Sequence, residues 1–164
     1  MAIQKPALKP PSRDTGNRRR SMNEIRIKGR PAYPGIATAE AIVCPQSIQG
    51  WSGVSDVTGC IIEEGHPEKG KCIKDKILVM PYGKGSTGWS GHFHSAAVSG
   101  FSPAGWIFSE MDSRCGVATA VLEIPAVADF PPGTDIFSLI KTGDIVTVNG
   151  YTGEVIIQKR GNQL

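Results

Sequence analysis

Between Lys76 and Gly91 the chain reads Lys-Ile-Leu-Val-Met-Pro-Tyr-Gly-Lys-Gly-Ser-Thr-Gly-Trp-Ser-Gly. A four-residue apolar run, Ile77 to Met80, is closed by Pro81 and opens directly into a glycine-rich turn. An apolar run this short without alternation reads as a strand covered on both faces, which calls for a mixed or parallel sheet inside a layered domain. Gly83, Gly85, Gly88 and Gly91 leave the backbone free to turn tightly or to approach a ligand. The small-residue segment from Gly88 to Val98 then predicts a helix whose first amide groups and positive dipole end would face that turn. Ser86 and Thr87 stand just ahead of it. Two readings fit them: hydroxyls that cap the helix, or hydroxyls that act on a substrate bearing a carboxylate or phosphate.

The rest of the chain agrees with a turn-rich, strand-built body. Its 164 residues include 20 Gly and 12 Pro, and the length suits one domain plus a tail. Residues 1–21 are rich in Pro, Lys, Arg, Ser and Asn, and are expected to be a disordered basic tail. The domain is then expected over 22–164, and Met22 opens a cleaner sequence that predicts a second possible start of translation. Residues 1–20 carry six of the 18 basic side chains and one of the 15 acidic ones, so the remainder is slightly acidic. The net charge of +3 therefore belongs to the tail, which argues against a nucleic-acid-binding body. No apolar run approaches the roughly 20 residues that span a bilayer, so no membrane partner is expected.

The strand pattern predicts Glu24–Lys28, Ile36–Val43, Cys60–Ile62, Lys76–Met80, Pro103–Phe108 and Ile124–Val127. Ser113 is expected to cap a helix over Arg114–Leu122, with Val117, Ala118, Val121 and Leu122 facing inward. A helical turn is expected over Ile136–Ile140. A closing hairpin is expected from Asp144–Val148 and Glu154–Ile157 about the turn Asn149–Gly153. Strand–helix–strand–helix–strand in the middle puts a small parallel layer beside an antiparallel, barrel-like one, a three-layer β/β/α arrangement of the α/β class.

Cys44, Cys60, Cys72 and Cys115 show no C-x-x-C spacing, and Arg18-Arg-Arg20 is not followed by the apolar core of a signal. Reduced thiols in a cytoplasmic protein are expected, with no metal site in this chain. His92 and His94 diverge on a helix, and His66 before Pro67 reads as a turn residue. Cys115 near a helix start is either a buried helix-face thiol or one with a lowered pKa. Trp51, Trp89, Trp106 and Phe93 fit either a core or a partner interface. Asp144 in Thr-Gly-Asp is expected to fix a turn.

An ordered set of phrases carries a resemblance. Gly29-Arg-Pro-Ala-Tyr-Pro-Gly35, Glu40-Ala-Ile-Val43 and Trp51-Ser-Gly-Val-Ser-Asp-Val-Thr-Gly59 are followed by His66-Pro-Glu-Lys-Gly70 and Gly83-Lys-Gly-Ser-Thr87. Ile124-Pro-Ala-Val127 and Thr142-Gly-Asp-Ile-Val-Thr-Val-Asn-Gly150 complete the set. Together, over about residues 24–159, they resemble the small, swivelling-domain subunit of aconitase X. The resemblance implies a β/β/α swivelling domain, like that of aconitases, closing over a large partner subunit as a heterodimer. It implies an iron–sulfur cluster held by that large subunit, whose open iron site would act as Lewis acid, and a small carboxylate substrate. It also implies a hydro-lyase active only with the large subunit. The expected reaction is cis-3-hydroxy-L-proline to 1-pyrroline-2-carboxylate plus water, with dehydration of mevalonate 5-phosphate as the alternative. Ser86 matches the family's catalytic serine, the proton acceptor. Gly85, Thr87 and Lys84 would then meet the substrate, with Lys84 and the helix start stabilising an alkoxide. A non-catalytic module gripping an anion is the competing class. The chain departs from the family's usual pattern at Gly88-Trp-Ser-Gly-His-Phe-His94 and at Asp112-Ser-Arg-Cys-Gly116.

Overall fold

A computed structural model describes residues 24–50 and 52–160. The expected tail, Met22 and Trp51 lie outside the described residues. The eleven elements run β1 Glu24–Lys28, β2 Arg30–Tyr33, β3 Ile36–Val43, β4 Ile77–Met80, α1 Trp89–Val98, β5 Gly105–Phe108, α2 Ser113–Leu122, β6 Ala126–Ala128, α3 Ile136–Leu139, β7 Ile145–Asn149 and β8 Glu154–Gln158.

The strands hydrogen-bond in the order β1-β8-β7-β3-β4-β5-β6-β2. β3, β4, β5 and β6 run parallel to one another, while the β1-β8, β8-β7, β7-β3 and β6-β2 pairs are antiparallel. β3 belongs to both layers: Ile36–Glu40 pair with β7, and Ala41–Val43 pair with β4. The stretch Glu24–Tyr33 does the same at the other seam. β1 pairs with β8 and β2 with β6, and only Gly29 separates them. A Cβ on Gly29 would stand 2.7 Å from the Ala128 carbonyl oxygen, so the crossing requires a bare backbone there. Two strands that switch layers join the ends of the strand order into a ring, which is the barrel-like part expected from sequence.

Both faces of the parallel layer are covered, which explains the unbroken apolar run of β4. Ile77 and Val79 point into the ring with Val43, Ile107, Val127, Val146, Val148, Val155 and Ile157. Leu78 and Met80 point the other way, against α1 and α2, with Trp89, Phe93, Trp106, Phe108, Cys115 and Ala118. The three layers are therefore helices, parallel strands and antiparallel strands. At the foot of β3, Asp144 is buried and accepts from the Lys141 amide, the Lys159 ammonium (both 2.8 Å) and the Arg160 amide (3.3 Å). By taking the Lys141 amide Asp144 closes its own turn, as expected, and its carbonyl takes the Ala41 amide and so ties that turn to β3.

Several expectations change. Cys60–Ile62 forms only isolated bridges, Cys60 with Cys72 and Ile61 with Val54, because it lies in the long connection from β3 to β4 with no neighbouring strand to extend it. Cys60 and Cys72 are not free thiols. The antiparallel bridge faces their side chains together, and they are joined as a disulfide. The cap of α2 is Asp112, not Ser113. The inner face of α2 is Cys115, Ala118 and Thr119, while Val117 and Val121 are half exposed. β2 also appears where no strand was expected; Pro31 is accommodated because β2 is the last strand of the order. Among the described residues no helix is long and apolar enough to cross a membrane.

Candidate functional site

β4 and β5 are parallel neighbours, so their carboxyl ends open on the same side of the sheet. β4 leads into Pro81–Gly88 and β5 into Ser109–Asp112. The two segments are laced together at once: the Ser109 amide donates to the Met80 carbonyl at 3.2 Å, and the Glu110 amide and Ser109 hydroxyl both donate to the Pro81 carbonyl, at 3.0 and 2.9 Å. Sites in open α/β sheets gather at this end of the strands.

Ser86 and Thr87 are exposed, at the tip of the turn that α1 closes. The cap of α1 is Gly88, and no side chain caps the helix. The capping role available to Ser86 and Thr87 is therefore not the one they play. The Ser86 carbonyl accepts the Trp89 amide at 3.1 Å, and a Cβ on Gly88 would stand 3.6 Å from Ser86 Oγ, so the hydroxyl lies beside the cap of the helix. No acidic side chain occupies that first turn. Its partial positive charge is left to act on whatever oxygen lies there.

Of the other candidate residues, Gly85 holds a φ of +92°, a conformation that excludes most side chains. Lys84 points away from the tip and pairs with Glu63, whose second carboxylate oxygen takes the Gln49 amide at 2.7 Å. Burial pushes the Glu63 carboxyl up, but Lys84 and the Gln49 amide outweigh it and hold it below the usual range. The cation expected beside Ser86 is thus already matched by a carboxylate.

Two residues that frame the turn were not singled out from the sequence. Asp112 Oδ1 caps α2 through the Cys115 amide at 2.9 Å, and Asp112 Oδ2 accepts the Gly83 amide at 3.2 Å. Arg114 donates to that same Oδ2 through Nε (3.0 Å) and Nη2 (2.7 Å), while its Nη1 donates to the Gly85 carbonyl at 2.7 Å. Burial raises the Asp112 carboxyl, but the Cys115 amide and the Arg114 guanidinium prevail and keep it ionised below its ordinary range. The signal was present as a departure at Asp112-Ser-Arg, with no way to see that Gly83 was its partner.

The histidines and aromatics resolve as follows. His66 is buried in its turn, with Nδ1 accepting the Glu68 amide and Nε2 on the Gln46 carbonyl, both at 3.1 Å. Because Nδ1 accepts, Nε2 carries the proton. Trp89, Phe93, Trp106 and Phe108 stack as one buried cluster with ring centroids 4.6–6.1 Å apart, so Trp89, Phe93 and Trp106 are core residues and not an interface. Trp89 Nε1 ties α1 to the Ile48 carbonyl at 2.9 Å.

Neither free thiol is activated. Burial, then Asp112, pushes the Cys115 thiol up, and burial, then Glu68, pushes Cys44 up to about 12. Among the described residues no group of three or more His, Cys, Asp or Glu side chains is placed to hold a metal ion. Two buried thiols and a disulfide do not fit an iron–sulfur cluster.

Comparison with known proteins agrees with this architecture. The family model described as the aconitase X swivel domain matches residues 26–157. The phosphomevalonate dehydratase small subunit of Methanosarcina acetivorans is 33% identical over 144 residues, covering 87% of this chain and 99% of that one. The protein of the same name from Methanosarcina mazei is 35% identical over 140 residues, covering 85% and 96%. Among solved structures, the holo-form of Thermococcus kodakaraensis aconitase X superimposes with a TM-score of 0.76 at 30% identity, over 82% of this chain and 99% of that chain. With the ring, the helical layer and the Ser86 turn in place, the chain belongs to the aconitase X swivel-domain family.

Proposed function

We propose that this chain is the small subunit of a two-subunit dehydratase acting on mevalonate 5-phosphate, with Ser86 as the proton acceptor. It is a hydro-lyase subunit of the aconitase X type. The observation supporting this substrate is that relatives 30–35% identical, matching 96–100% of their own length, carry the name phosphomevalonate dehydratase small subunit. In this reading the iron–sulfur cluster belongs to the large subunit, and the two subunits enclose the substrate together.

The substrate is a 3-hydroxy acid. Its dehydration breaks a C–H bond beside the carboxylate and the C–O bond of the neighbouring carbon, leaving a double bond and one water. Ser86 Oγ takes the proton as an alkoxide and becomes a neutral hydroxyl, the C–O bond releases hydroxide, and return of one proton from Ser86 on turnover makes up the single water and restores the alkoxide. A serine hydroxyl in water is far too weak a base for this, so its ionised form must be favoured by donors already aimed at it. The first turn of α1, uncapped by any side chain and without an acidic residue, contributes its positive end, its Trp89 amide being already given to the Ser86 carbonyl. Thr87 and the Gly85 backbone border the substrate beside Ser86. Lys84, paired with Glu63, contributes by fixing the turn more than by its charge.

A second reading, dehydration of cis-3-hydroxy-L-proline, is favoured by one observation. Both cations flanking Ser86 are matched by carboxylates, Lys84 by Glu63 and Arg114 by Asp112, which suits a substrate without a phosphate. Both substrates share the same reacting pair of carbons, so Ser86 has one role in either.

The test is to purify the chain with its large subunit and follow water loss from each substrate, with wild type and Ser86→Ala. Turnover of mevalonate 5-phosphate that falls at least about 1,000-fold in Ser86→Ala, with binding retained, supports the reading. Turnover of hydroxyproline alone moves the assignment to the second reading. Loss of binding with no turnover of either substrate in wild type would replace the enzyme by an anion-binding module.

A further inference from the structure

We propose that Asp112 and Arg114 form a clasp that sets the Gly85–Ser86 peptide in its working orientation, making Arg114 a positioning residue that acts through Ser86. The inference rests on the reading of Ser86 as the proton acceptor.

The turn needs such a clasp. Three of the six residues from Gly83 to Gly88 are glycines, the residues that lose most conformational freedom when ordered. On the side of α1, the Ser86 carbonyl is held by the Trp89 amide. The bonds that fix what precedes Ser86 come from outside the turn. Asp112 Oδ2 holds the amide of Gly83, where the turn begins, and Arg114 Nη1 holds the carbonyl of Gly85, immediately before the hydroxyl-bearing residue. A peptide unit is planar. Pinning the Gly85 carbonyl therefore pins the direction of the Ser86 N–H and limits where its Cβ can point.

Arg114 is itself held rigidly. Two of its nitrogens share one Asp112 oxygen, and the other Asp112 oxygen is committed to the start of α2. The guanidinium stem lies flush on the turn: a Cβ on Gly83 would stand 2.9 Å from Arg114 Cβ and 3.0 Å from Nε. Side-chain exposures of 27% for Arg114 and 22% for Asp112 leave the pair partly buried. Reaching both an Asp oxygen and a carbonyl 29 residues away requires the planar fork of arginine, which a lysine ammonium lacks.

The test uses the two-subunit enzyme and two independent readouts. In Arg114→Ala, amide exchange of Gly83 and Trp89, whose bonds to Asp112 Oδ2 and to the Ser86 carbonyl tie down the two ends of the turn, is expected to rise at least about 10-fold while α2 stays protected, because the carbonyl anchor is gone. In the same variant kcat is expected to fall about 10- to 100-fold with KM changed less than about 3-fold. Arg114→Lys recovers little, whereas added guanidinium recovers part of the rate of Arg114→Ala. The double variant Ser86→Ala, Arg114→Ala is expected to be no slower than Ser86→Ala, since Arg114 acts through that hydroxyl. Unchanged exchange at Gly83 and Trp89 overturns the clasp, whatever the activity. So does a kcat loss that multiplies in full on top of Ser86→Ala. If Ser86→Ala itself turns over normally, the proton-acceptor reading fails instead, and the exchange result still decides whether the clasp exists. Should Arg114→Ala not fold, the exchange comparison is made on Arg114→Lys, where a wild-type profile would be equally fatal.

Discussion

Replacing Asp144 by Asn is expected to cost the fold about 2 kcal/mol at neutral pH. Asp144 Oδ2 receives the Lys141 amide and the Lys159 ammonium, and Oδ1 receives the Arg160 amide. An asparagine keeps one acceptor oxygen and turns the other position into a donor. If the oxygen stays with Lys141 and Lys159, the Arg160 amide loses its partner and Lys159 loses its countercharge. The Lys159–Asp144 pair is mostly shielded, at 28% and 6% side-chain exposure, so its loss is screened only in part. A charged hydrogen bond of this kind is worth about 1.5–3 kcal/mol, and the Arg160 bond at 3.3 Å adds little.

The pH dependence follows from the direction of the shift. Burial raises the Asp144 carboxyl, but Lys159 and the two amides outweigh it, so its folded pKa lies below the ordinary value. A group depressed in this way contributes its full stabilisation above its unfolded pKa, about 3.9. That contribution is lost as pH falls through the lower folded value. The gap between wild type and Asp144→Asn is therefore constant from about pH 6 to 8 and narrows below about pH 4. Urea unfolding followed by fluorescence of the buried Trp89 and Trp106 measures it, and 2 kcal/mol corresponds to a midpoint shift of about 1 M. A gap of the same size at pH 7 and pH 3, or one below about 0.5 kcal/mol at pH 7, would refute the argument.

Three further outcomes are expected from thermal or urea unfolding. Gly150→Ala places a Cβ 1.8 Å from the Tyr33 carbonyl oxygen and should lose about 3 kcal/mol, whereas Gly70→Ala, at φ +92° with nothing within 4 Å, should lose only about 1–2 kcal/mol from backbone strain. Phe93→Ala removes a ring 4.6 Å from Trp89 and 5.4 Å from Trp106 and should cost about 3–5 kcal/mol, read as a lower urea midpoint. Cys60→Ser opens a disulfide spanning 12 residues and should cost about 2–3 kcal/mol, matched in wild type by adding a thiol reductant.

The segments legible in the sequence were those whose signal is local. β4, its glycine turn and α1 form one continuous statement: an apolar run, a proline stop, bare backbone, then small residues. The β7–β8 hairpin likewise declares itself through Asn149-Gly150. What stayed hidden depends on distant neighbours. β2 contains a proline and has little strand character by itself; it exists because β6 offers a free edge. Cys60–Ile62 has the right composition for a strand but no strand to lie beside. On α2, periodicity favoured Val117, Ala118, Val121 and Leu122; Ala118 is buried and Leu122 packs against the core, yet the close approach to α1 and the sheet turns Val117 and Val121 outward and buries Cys115 and Thr119 instead. At the site, Ser86 stands out as a candidate from its turn, while Asp112 is passed over in favour of Ser113 as the helix cap. The hold of Asp112 on Gly83 crosses 29 residues and leaves no local trace.

Because Glu24–Tyr33 and β3 each thread both layers, the scaffold under Ser86 behaves as a stiff hoop. Bending it at one seam would break strand pairing at the other. If Ser86 acts as proposed, a movement that carries its hydroxyl toward or away from a reacting carbon is expected to turn the entire hoop against the large subunit, with the turn riding as a passenger. Paired spin labels, one on each subunit, would register such a rotation, while two labels placed within this chain would keep a fixed separation throughout the catalytic cycle.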